Sequence, residues 1–407
     1  MSQFDIERIR EDFPALKQKI NGKDLVFLDS AASAQKPQCV IDAIAEANTN
    51  NYANIHRGVY SLSDKATNAY EATRQTVADF IHAKSSKEIV FTKGTTEAIN
   101  FIATSLSHAY LKRGDEVILT VMEHHANIVP WQMMAQEKGI ILRYVNFDDT
   151  GELLYEQYDE LISDKTKLIS LTHCSNVLGT VNDVKRVIDL ARKHNIPVLL
   201  DGAQSIVHQK IDVQDLDCDF YAFSSHKLYG PTGVGVLYMS EKWAKILPPY
   251  QGGGDMIKTV TLDGYELADY PNRFEAGTPN IVGVSSLKDA IEYVERIGID
   301  IIAEHEHKLV TYAHSALQEF KGLKILGTSI NKASVVTFVI DSAHANDVGT
   351  LLDVFGIAVR TGHHCAQPLL SHYGVPSTVR ASFAMYNTIE EINALVRGLH
   401  KTIKMLG

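Results

Sequence analysis

The sequence predicts an α/β fold in which a largely parallel β-sheet is covered by helices on both faces. Between about Leu25 and Val284, short apolar segments alternate with segments of helical spacing. Near-continuous apolar strands separated by helices are typical of a sheet that is buried on both sides. The chain has 407 residues, which exceeds one simple domain, so we expect two domains of unequal size.

The candidate strands are short and rich in β-branched or aromatic residues. In chain order they are LVFLDSAA, EIVFT, EVILTV, LRYVNF, KLISLTHCS, PVLLDGAQ, DFYAFSS and GVGVLYM. Apolar faces with helical spacing lie between them, formed in one segment by Tyr70, Thr73, Val77 and Phe80, and in another by Val184, Val187, Ile188 and Ala191. We expect Asn182 to be the N-cap of the second of these helices.

The pattern changes after Val284, where a helix over 285–297, a strand near 334–340 and a last helix from 389 indicate a smaller α+β domain. Thr388 and Glu391 have the spacing of a capping box at the start of that last helix. Its apolar stripe consists of Ile392, Leu395, Val396, Leu399 and Ile403. We therefore expect a large domain over 25–284 and a small domain formed by 1–24 and 285–407.

Composition excludes several classes of function. The formal net charge is -10, and the 39 Lys and Arg residues form no long run, which argues against a nucleic-acid or anionic-membrane surface. The charged N-terminus lacks a secretory h-region, and no apolar run reaches about 18 residues. The widely spaced Cys39, Cys174, Cys218 and Cys365 fit reduced thiols in a cytoplasmic protein.

The first candidate site is the segment Gly94-Thr95-Thr96 before a helical stretch. Ligands of an open parallel sheet bind beyond the carboxyl ends of its strands. Free N–H groups, two hydroxyls and the positive end of a helix dipole together suit a phosphate group. A plain N-cap is the alternative.

Two further segments follow apolar strands. Asp201 comes directly after PVLL, where a carboxylate needs a partner such as a protonated pyridine nitrogen, or else a nearby Lys or Arg. Lys227 follows DFYAFS, and a lysine there can have a lowered pKa and act as a nucleophile towards an aldehyde, although a solvated lysine is the common outcome. The position of Lys227 in the chain, behind Gly94-Thr95-Thr96 and Asp201, strengthens its interpretation as a nucleophile.

Two histidine pairs raise the question of a metal. His124 and His125 are adjacent, as are His363 and His364, but no closed ligand set with zinc spacing can be assembled. We therefore expect no metal site, and an imidazole such as that of His124 can instead stack on a ring. Cys365 follows the second pair, and glycine and imidazoles beside a thiol suit an accessible nucleophile, with an ordinary loop cysteine as the alternative.

Together these segments resemble the large domain of fold-type I pyridoxal-phosphate enzymes, a family with a mostly parallel sheet of the seven-stranded type. The resemblance implies that Lys227 is covalently linked to pyridoxal 5'-phosphate, that Asp201 pairs with the ring nitrogen and that Gln204 reaches the ring hydroxyl. It also implies that His124 stacks on the ring. The implied phosphate ligands are Thr95, Thr96, Ser224 and His226.

The segment Arg360-Thr361-Gly362-His363-His364-Cys365 resembles the short active-site loop of the SufS-type, or group II, cysteine desulfurases. The resemblance spans nearly the whole chain through LDSAASAQKP, HRGVYSLS, GTTEAIN, EHHANIVPWQ, SNVLGT, DGAQ, SSHKLYGPTG, RFEAGTPN and RASFAMYNT. Ser225 stands where the related enzymes often have glycine, which puts the geometry of the phosphate loop in doubt but not the role of Lys227.

The resemblance implies conversion of L-cysteine to L-alanine with a persulfide on Cys365. Arg380 would bind the substrate carboxylate, aided by Asn176, and Arg360 would flank the cysteine loop. It further implies a homodimer in which the neighbouring subunit contributes to the site, with Thr278 on the phosphate and with His56 and Arg57 at the entrance.

The implied role is to supply sulfur for iron–sulfur cluster assembly in the cytoplasm. A SufE-like or other acceptor protein would take the sulfur, with a SufBCD-type scaffold downstream. A fold-type I aminotransferase or another lyase, acting for example on selenocysteine, is one alternative, and lyase activity on selenocysteine is also an expected side reaction. A non-catalytic sulfur-relay or scaffold protein is a second alternative, although it would not need Lys227, Asp201, Gln204 and Arg380 together.

Overall fold

The computed structural model describes residues 4–341 and 343–406. Residues 1–3, 342 and 407, which belong to the predicted small domain, lie outside the described residues. The helices are α1 (Ile6–Glu11), α2 (Gln38–Thr49), α3 (Ser61–Phe80), α4 (Thr95–Ala109), α5 (Val129–Lys138), α6 (Glu156–Leu161), α7 (Val184–Lys193), α8 (Ser205–His208), α9 (Val213–Leu216), α10 (Glu241–Ile246), α11 (Ile281–Ile297), α12 (Ile299–Gln318), α13 (Ala345–Val354), α14 (Gln367–His372) and α15 (Ile389–Leu406). Short 3-10 helices lie at Pro14–Lys17, Ser86–Glu88, His125–Asn127, Ser225–Lys227 and Asn272–Phe274.

The strands form one large sheet and several smaller ones. In chain order they are β1 (Lys19–Ile20), β2 (Lys23–Asp24), β3 (Val26–Phe27), β4 (Ile89–Thr92), β5 (Glu116–Thr120), β6 (Ile141–Val145), β7 (Thr166–Thr172), β8 (Val198–Asp201), β9 (Phe220–Ser224), β10 (Gly235–Met239), β11 (Ile257–Val260), β12 (Tyr265–Leu267), β13 (Leu323–Leu326), β14 (Val335–Ile340), β15 (Ile357–Ala358), β16 (Arg360–Gly362) and β17 (Thr378–Ser382).

The large sheet has seven strands in the order β4-β10-β9-β8-β7-β5-β6. Strands β5 to β9 are parallel to one another, and β10 runs antiparallel to both of its neighbours, β4 and β9. Every residue of β5, β8, β9 and β10 is buried, as expected for a sheet with helices on both faces. The predicted α/β fold with a mostly parallel seven-stranded sheet is confirmed.

Two details of the sequence prediction are wrong. The segment LVFLDSAA does not join the large sheet, because Val26–Phe27 pairs in parallel with Ile357–Ala358 and the adjacent Leu28 packs in the apolar core of the C-terminal region. Asp183 rather than Asn182 caps α7, since its carboxylate accepts a hydrogen bond from the Arg186 N–H at 3.1 Å.

The C-terminal region contains a four-stranded antiparallel sheet in the order β13-β14-β17-β16. Helix α15 begins at Ile389, as expected. The Glu391 carboxylate accepts a hydrogen bond from the Thr388 N–H at 3.1 Å, and the Thr388 hydroxyl accepts one from the Glu391 N–H at 3.2 Å. This reciprocal pair is the predicted capping box.

Helix α11 joins the two regions. It begins at Ile281, where the Asn280 side chain accepts a hydrogen bond from the Gly283 N–H, and it packs against α2 and α3. The predicted boundary between residues 284 and 285 falls inside this helix. The division into 25–284 and the remainder stays a prediction, although Arg10 forms an ion pair with Glu391 at 3.1 Å, as expected for an N-terminal segment that contacts the C-terminal region. Within the described residues, no helix combines the length and apolar character needed to cross a membrane.

Candidate active site

A cavity lies at the carboxyl ends of three adjacent strands of the large sheet. Thr172 ends β7, Asp201 ends β8 and Ser224 ends β9, and all three line it. Of the residues predicted from the sequence, the cavity is lined by Thr95, Thr96, His124, Asn176, Asp201, Gln204, Ser224, His226, Lys227, Arg360 and Arg380. Side chains that are scattered along the sequence therefore meet in one place.

One end of the cavity is formed by the N-terminus of α4. The Thr95 N–H donates to the Ser224 hydroxyl at 2.8 Å, and the two hydroxyls lie 2.7 Å apart. Gly235 on the neighbouring β10 allows this close packing, since a Cβ there would lie 2.3 Å from Cα of Gly94. Helix N-terminal N–H groups and hydroxyls together can hold a phosphate group.

Ser225 fits into this region without disturbing it. Its hydroxyl is buried with no hydrogen-bond partner, and a Cβ on Gly230 would lie only 2.2 Å from that oxygen. Because Gly230 has no side chain, there is room for the Ser225 hydroxyl.

Asp201 is a buried acid that lines the cavity and is only 4% exposed. One carboxylate oxygen accepts a hydrogen bond from the Ala203 N–H at 3.0 Å. Burial raises the pKa of Asp201, while that N–H and the Lys227 amine act in the opposite direction. Gln204 is also buried and donates to the carbonyl of Ala31 at 2.8 Å. The remaining acceptor capacity of Asp201 suits a protonated ring nitrogen.

Lys227 ends the short 3-10 helix that follows β9. Burial lowers the pKa of Lys227 to about 8, although the carboxylate of Asp201 raises it in part. A lysine with such a pKa has a substantial neutral fraction near neutral pH and can attack an aldehyde.

His124 presents a neutral imidazole to the cavity. Burial, followed by the charge of Lys227, lowers the pKa of His124 to about 3. Its Nδ1 accepts a hydrogen bond from the Ala126 N–H at 3.0 Å, so the ring proton resides on Nε2. A neutral ring in this position is suited to stacking on an aromatic ligand.

A buried acid next to His124, Glu123, was not identified from the sequence. Glu123 is fully buried and accepts hydrogen bonds from Thr120 at 2.6 Å, from Asn127 at 2.7 Å and from the Thr172 N–H at 3.0 Å. Burial raises the pKa of Glu123 to about 8. An acid inside the otherwise apolar run before His124 was the available signal.

Arg380 is 1% exposed and is held at two points. Nη2 donates to the Asp29 carboxylate at 2.9 Å, and Nη1 donates to the carbonyl of Asn176 at 2.9 Å. The buried Nε has no protein partner, so the guanidinium keeps donors for a carboxylate ligand. Asp29 was missed from the sequence because its partner lies 351 residues away.

The loop that carries Cys365 lies against the same cavity. His364 lines the cavity, while Cys365 itself is half-buried beside it and is not among the lining residues. The Asn176 side chain donates to the carbonyl of His364 at 2.7 Å, and the His125 N–H donates to the carbonyl of Cys365 at 2.7 Å. Asn176 thus holds the cysteine loop; contact with a substrate stays a prediction.

The other thiols are placed less favourably for reaction. Cys174 and Cys218 are buried, and burial raises the pKa of Cys174 to about 12. Burial also raises the pKa of Cys39 and of Cys218. A thiolate is the reactive form, so these three cysteines are poor nucleophiles near neutral pH.

Besides Cys365, three predicted site residues do not line the cavity. His56 contacts the carboxylate of Glu71 at 3.0 Å, Arg57 pairs with Asp255 at 2.7 Å, and Thr278 lies in a separate groove. All three are exposed. Within 4–341 and 343–406, no group of three or more His, Cys, Asp or Glu side chains has an arrangement that could hold a metal ion.

Known proteins resemble the chain over almost its whole length. Residues 26–395 match the model of the family described as aminotransferase class-V. A protein named cysteine desulfurase from Yersinia pseudotuberculosis serotype IB (strain PB1/+) is 51% identical over 405 residues, which cover 99% of this chain and 100% of that protein. One from Yersinia pestis gives the same identity and coverage.

Solved structures of cysteine desulfurases are also similar to this chain over nearly its whole length. The cysteine desulfurase CsdA from Escherichia coli, solved with an S-sulfonic acid, has a TM-score of 0.93 and 39% identity over 100% of both chains. The apo cysteine desulfurase from Thermococcus onnurineus NA1 has the same TM-score and identity over 98% of both chains.

Proposed function

The chain belongs to the cysteine desulfurases of the class-V aminotransferase family. We propose that it stores the sulfur of L-cysteine as a persulfide on Cys365 and releases L-alanine. Cys365 is half-buried beside the cavity, whereas Cys174 and Cys218 are buried. Cys39 is half-buried as well, but it lies in α2, whereas Cys365 directly follows His364, which lines the cavity. The position of an accessible thiol beside the cavity is the observation that carries the proposal. The loop that carries Cys365 also contacts the segment that contains His124, because the His125 N–H donates a hydrogen bond to the carbonyl of Cys365.

The cofactor is pyridoxal 5'-phosphate, and the residues of the cavity fit it. Asp201 would face the ring nitrogen, the N-terminus of α4 with Ser224 would hold the phosphate, and the neutral His124 would cover the ring. Lys227, with a pKa of about 8, would provide the amine for the covalent link. When bound, pyridoxal phosphate withdraws electrons from the substrate Cα.

Each reacting part of the substrate has a counterpart on the chain. Arg380 binds the carboxylate through its remaining N–H donors, which fixes the orientation of Cα. The neutral Lys227 amine would accept the Cα proton. The Cys365 thiolate attacks the substrate sulfur, so an S–S bond forms while the Cβ–S bond breaks. The electron pair of that bond stays on the carbon skeleton, which is protonated to alanine.

The test is to map the transferred sulfur. After brief incubation with L-cysteine, quenching and digestion, mass spectrometry should find the added sulfur on Cys365 and not on Cys39, Cys174 or Cys218. Cys365→Ala should bind the cofactor but should not produce alanine and persulfide, whereas the matched variant Cys39→Ala should behave like the wild type. Sulfur found mainly on Cys174, or full turnover by Cys365→Ala, would contradict the proposal.

We further propose that the enzyme is of the SufS type and supplies sulfur for iron–sulfur cluster assembly in the cytoplasm. The support is the short cysteine segment, in which only residues 363–366 separate β16 from α14. A SufE-like or other acceptor protein would receive the sulfur and pass it to a SufBCD-type scaffold. Lyase activity on selenocysteine is a proposed side reaction, since Cys365 is separate from the proposed cofactor ligands and a selenium leaving group needs less assistance.

We also propose a homodimer in which His56, Arg57 and Thr278 reach the cavity of the partner subunit. Two facts support this arrangement: these residues lie outside the cavity of their own chain, and apolar side chains are exposed nearby in sequence. Val59 is 101% exposed and Leu262, between β11 and β12, is 105% exposed. Exposed apolar side chains of this kind are typical of a surface that another chain covers.

A further inference from the structure

The cysteine loop has a backbone conformation that requires external support. His364 and Cys365 are consecutive residues in the left-handed region, with φ values of 51° and 57°. This region is disfavoured for residues with a Cβ, and two such residues in succession persist only when surrounding contacts hold them. The position of the Cys365 thiol therefore depends on the groups that contact the loop.

His125 contacts the loop at Cys365 and again two residues further along the chain. Its main-chain N–H donates to the carbonyl of Cys365 at 2.7 Å. Its side-chain Nε2 accepts a hydrogen bond from the Gln367 N–H at 3.1 Å. Gln367 is the first residue of α14, and a first-turn N–H has no partner inside its own helix. The imidazole supplies that partner.

The remaining contacts fix the preceding residue. The Asn176 side chain donates to the carbonyl of His364, and Nε2 of His364 lies 2.8 Å from the Thr378 hydroxyl. These two contacts hold the loop before the thiol. His125 alone among these residues holds both the carbonyl of Cys365 and the chain that follows it.

The imidazole has the protonation state that this contact requires. Burial, followed by the charge of His363, lowers the pKa of His125. The ring is therefore neutral near neutral pH, with Nε2 as the acceptor and the proton on Nδ1. His125 is half-buried and is not among the residues that line the cavity.

We propose that His125 is a positioning residue that holds the Cys365 thiol in place for sulfur transfer. This inference rests on the proposed function, in which Cys365 accepts the sulfur. It assigns separate roles to the adjacent histidines, since His124 faces the cofactor cavity and His125 the cysteine loop. Its side chain acts through the loop and not on the substrate.

Two variants separate the acceptor from the rest of the side chain. His125→Phe keeps a planar ring and the main-chain N–H but removes the acceptor. His125→Gln keeps an acceptor at about the position of Nε2. With holoenzyme, kcat for L-cysteine should fall on the order of ten- to a hundredfold in His125→Phe, because small displacements of a reacting group are costly. KM should change little, and His125→Gln should recover most of the loss.

Two further measurements distinguish positioning from general damage. Exchange of the L-alanine Cα proton in D2O uses the cofactor and Lys227 but not Cys365, so it should stay near the wild-type rate in His125→Phe. Hydrogen exchange in a peptide spanning 363–370 should be faster in His125→Phe than in wild type and close to wild type in His125→Gln.

The outcomes are distinct. Undiminished cysteine turnover in His125→Phe, or an equal loss of turnover and of alanine exchange, would overturn the inference. Cys365→Ala is measured alongside. If Cys365→Ala loses turnover and His125→Phe does not, the proposed role of His125 is wrong and the proposed function stands. If Cys365→Ala keeps turnover, the proposed function fails as well.

Discussion

Asp201 is the acid whose surroundings best define the chemistry of the cavity. It is almost completely buried, and burial raises its pKa while Lys227 and the Ala203 N–H oppose the shift. A buried carboxylate with an incomplete set of hydrogen bonds is costly unless a ligand completes it. A protonated ring nitrogen would do so and would keep Asp201 ionised.

Asp201→Asn should keep part of its cofactor but lose on the order of a hundredfold in the rate of Cα deprotonation, because a neutral amide cannot maintain the pyridinium charge. Stopped-flow absorbance and exchange of the alanine Cα proton measure the effect. Asp215→Asn is the matched control, since Asp215 is an exposed acid that does not line the cavity. Near-normal alanine formation in Asp201→Asn would show that the acid is structural.

At the residue scale, the sequence was informative where a chemical group follows an apolar strand. Asp201 and Lys227 could be singled out because a charged group there is costly without a role. His125, Asp29 and Glu123 could not be assigned, because their significance lies in contacts with distant parts of the chain. The His125 and Gln367 pair is separated by 242 residues, and no local pattern specifies such a contact.

Among the elements, α15 was predicted most completely. Its capping box and its apolar stripe are both local in sequence, and Ile392, Leu395 and Leu399 are buried as expected. The first candidate strand, LVFLDSAA, was assigned to the wrong sheet, because the apolar character of a segment predicts that it is buried but not which strand it pairs with. The N-cap of α7 shifted by one residue, because Asn and Asp are both good caps and the buried Asn182 side chain instead donates to the carbonyl of Thr172.

Thr388→Ala should lower the free energy of unfolding by about 1 kcal/mol, since it removes the side-chain acceptor of the cap. Urea unfolding measures the change. Lys404→Ala, an exposed change in the last turn of the same helix, should have a much smaller effect. Equal effects of the two substitutions would show that the capping box does not contribute to stability.

At the scale of the whole molecule, buried neutral histidines should make the cofactor-free chain sensitive to acid. Burial lowers the pKa of His124 and of His364 to about 3 and that of His173 to about 4. In the unfolded chain histidine has a pKa of about 6.5, so below that pH the unfolded state binds more protons and becomes favoured.

Together the three histidines should make the free energy of unfolding fall as the pH is lowered from about 6.5 towards 4, by at most about 1.4 kcal/mol per pH unit and per histidine. Glu123 opposes them, because its raised pKa of about 8 lets the folded state keep a proton that the unfolded state loses, but it is one group against three. Urea titrations at pH 5 and pH 7 measure it. His173→Asn, at a buried position, should flatten the pH dependence. A stability that rises as the pH falls over this range would contradict the expected direction.

The proposed homodimer can be tested by mixing inactive chains. Lys227→Ala and the double variant His56→Ala, Arg57→Ala should each have little activity as pure dimers. If His56 and Arg57 act on the partner's cavity, co-expression with two affinity tags should give mixed dimers with one intact site and about half the wild-type turnover per dimer. No recovery in the purified mixed dimer, or a fully active monomer by light scattering, would exclude this arrangement.

The short segment between β16 and α14 also limits the distance over which a stored sulfur atom could travel. Residues 363–366 are the only ones outside regular structure there, and four residues span at most about 14 Å even when fully extended. Contacts from His125 and Asn176 shorten that reach further. If the proposed function is correct, the sulfur bound to Cys365 therefore stays close to one position. A recipient would have to bring its own acceptor atom to Cys365, on a protruding segment narrow enough to approach a half-buried thiol.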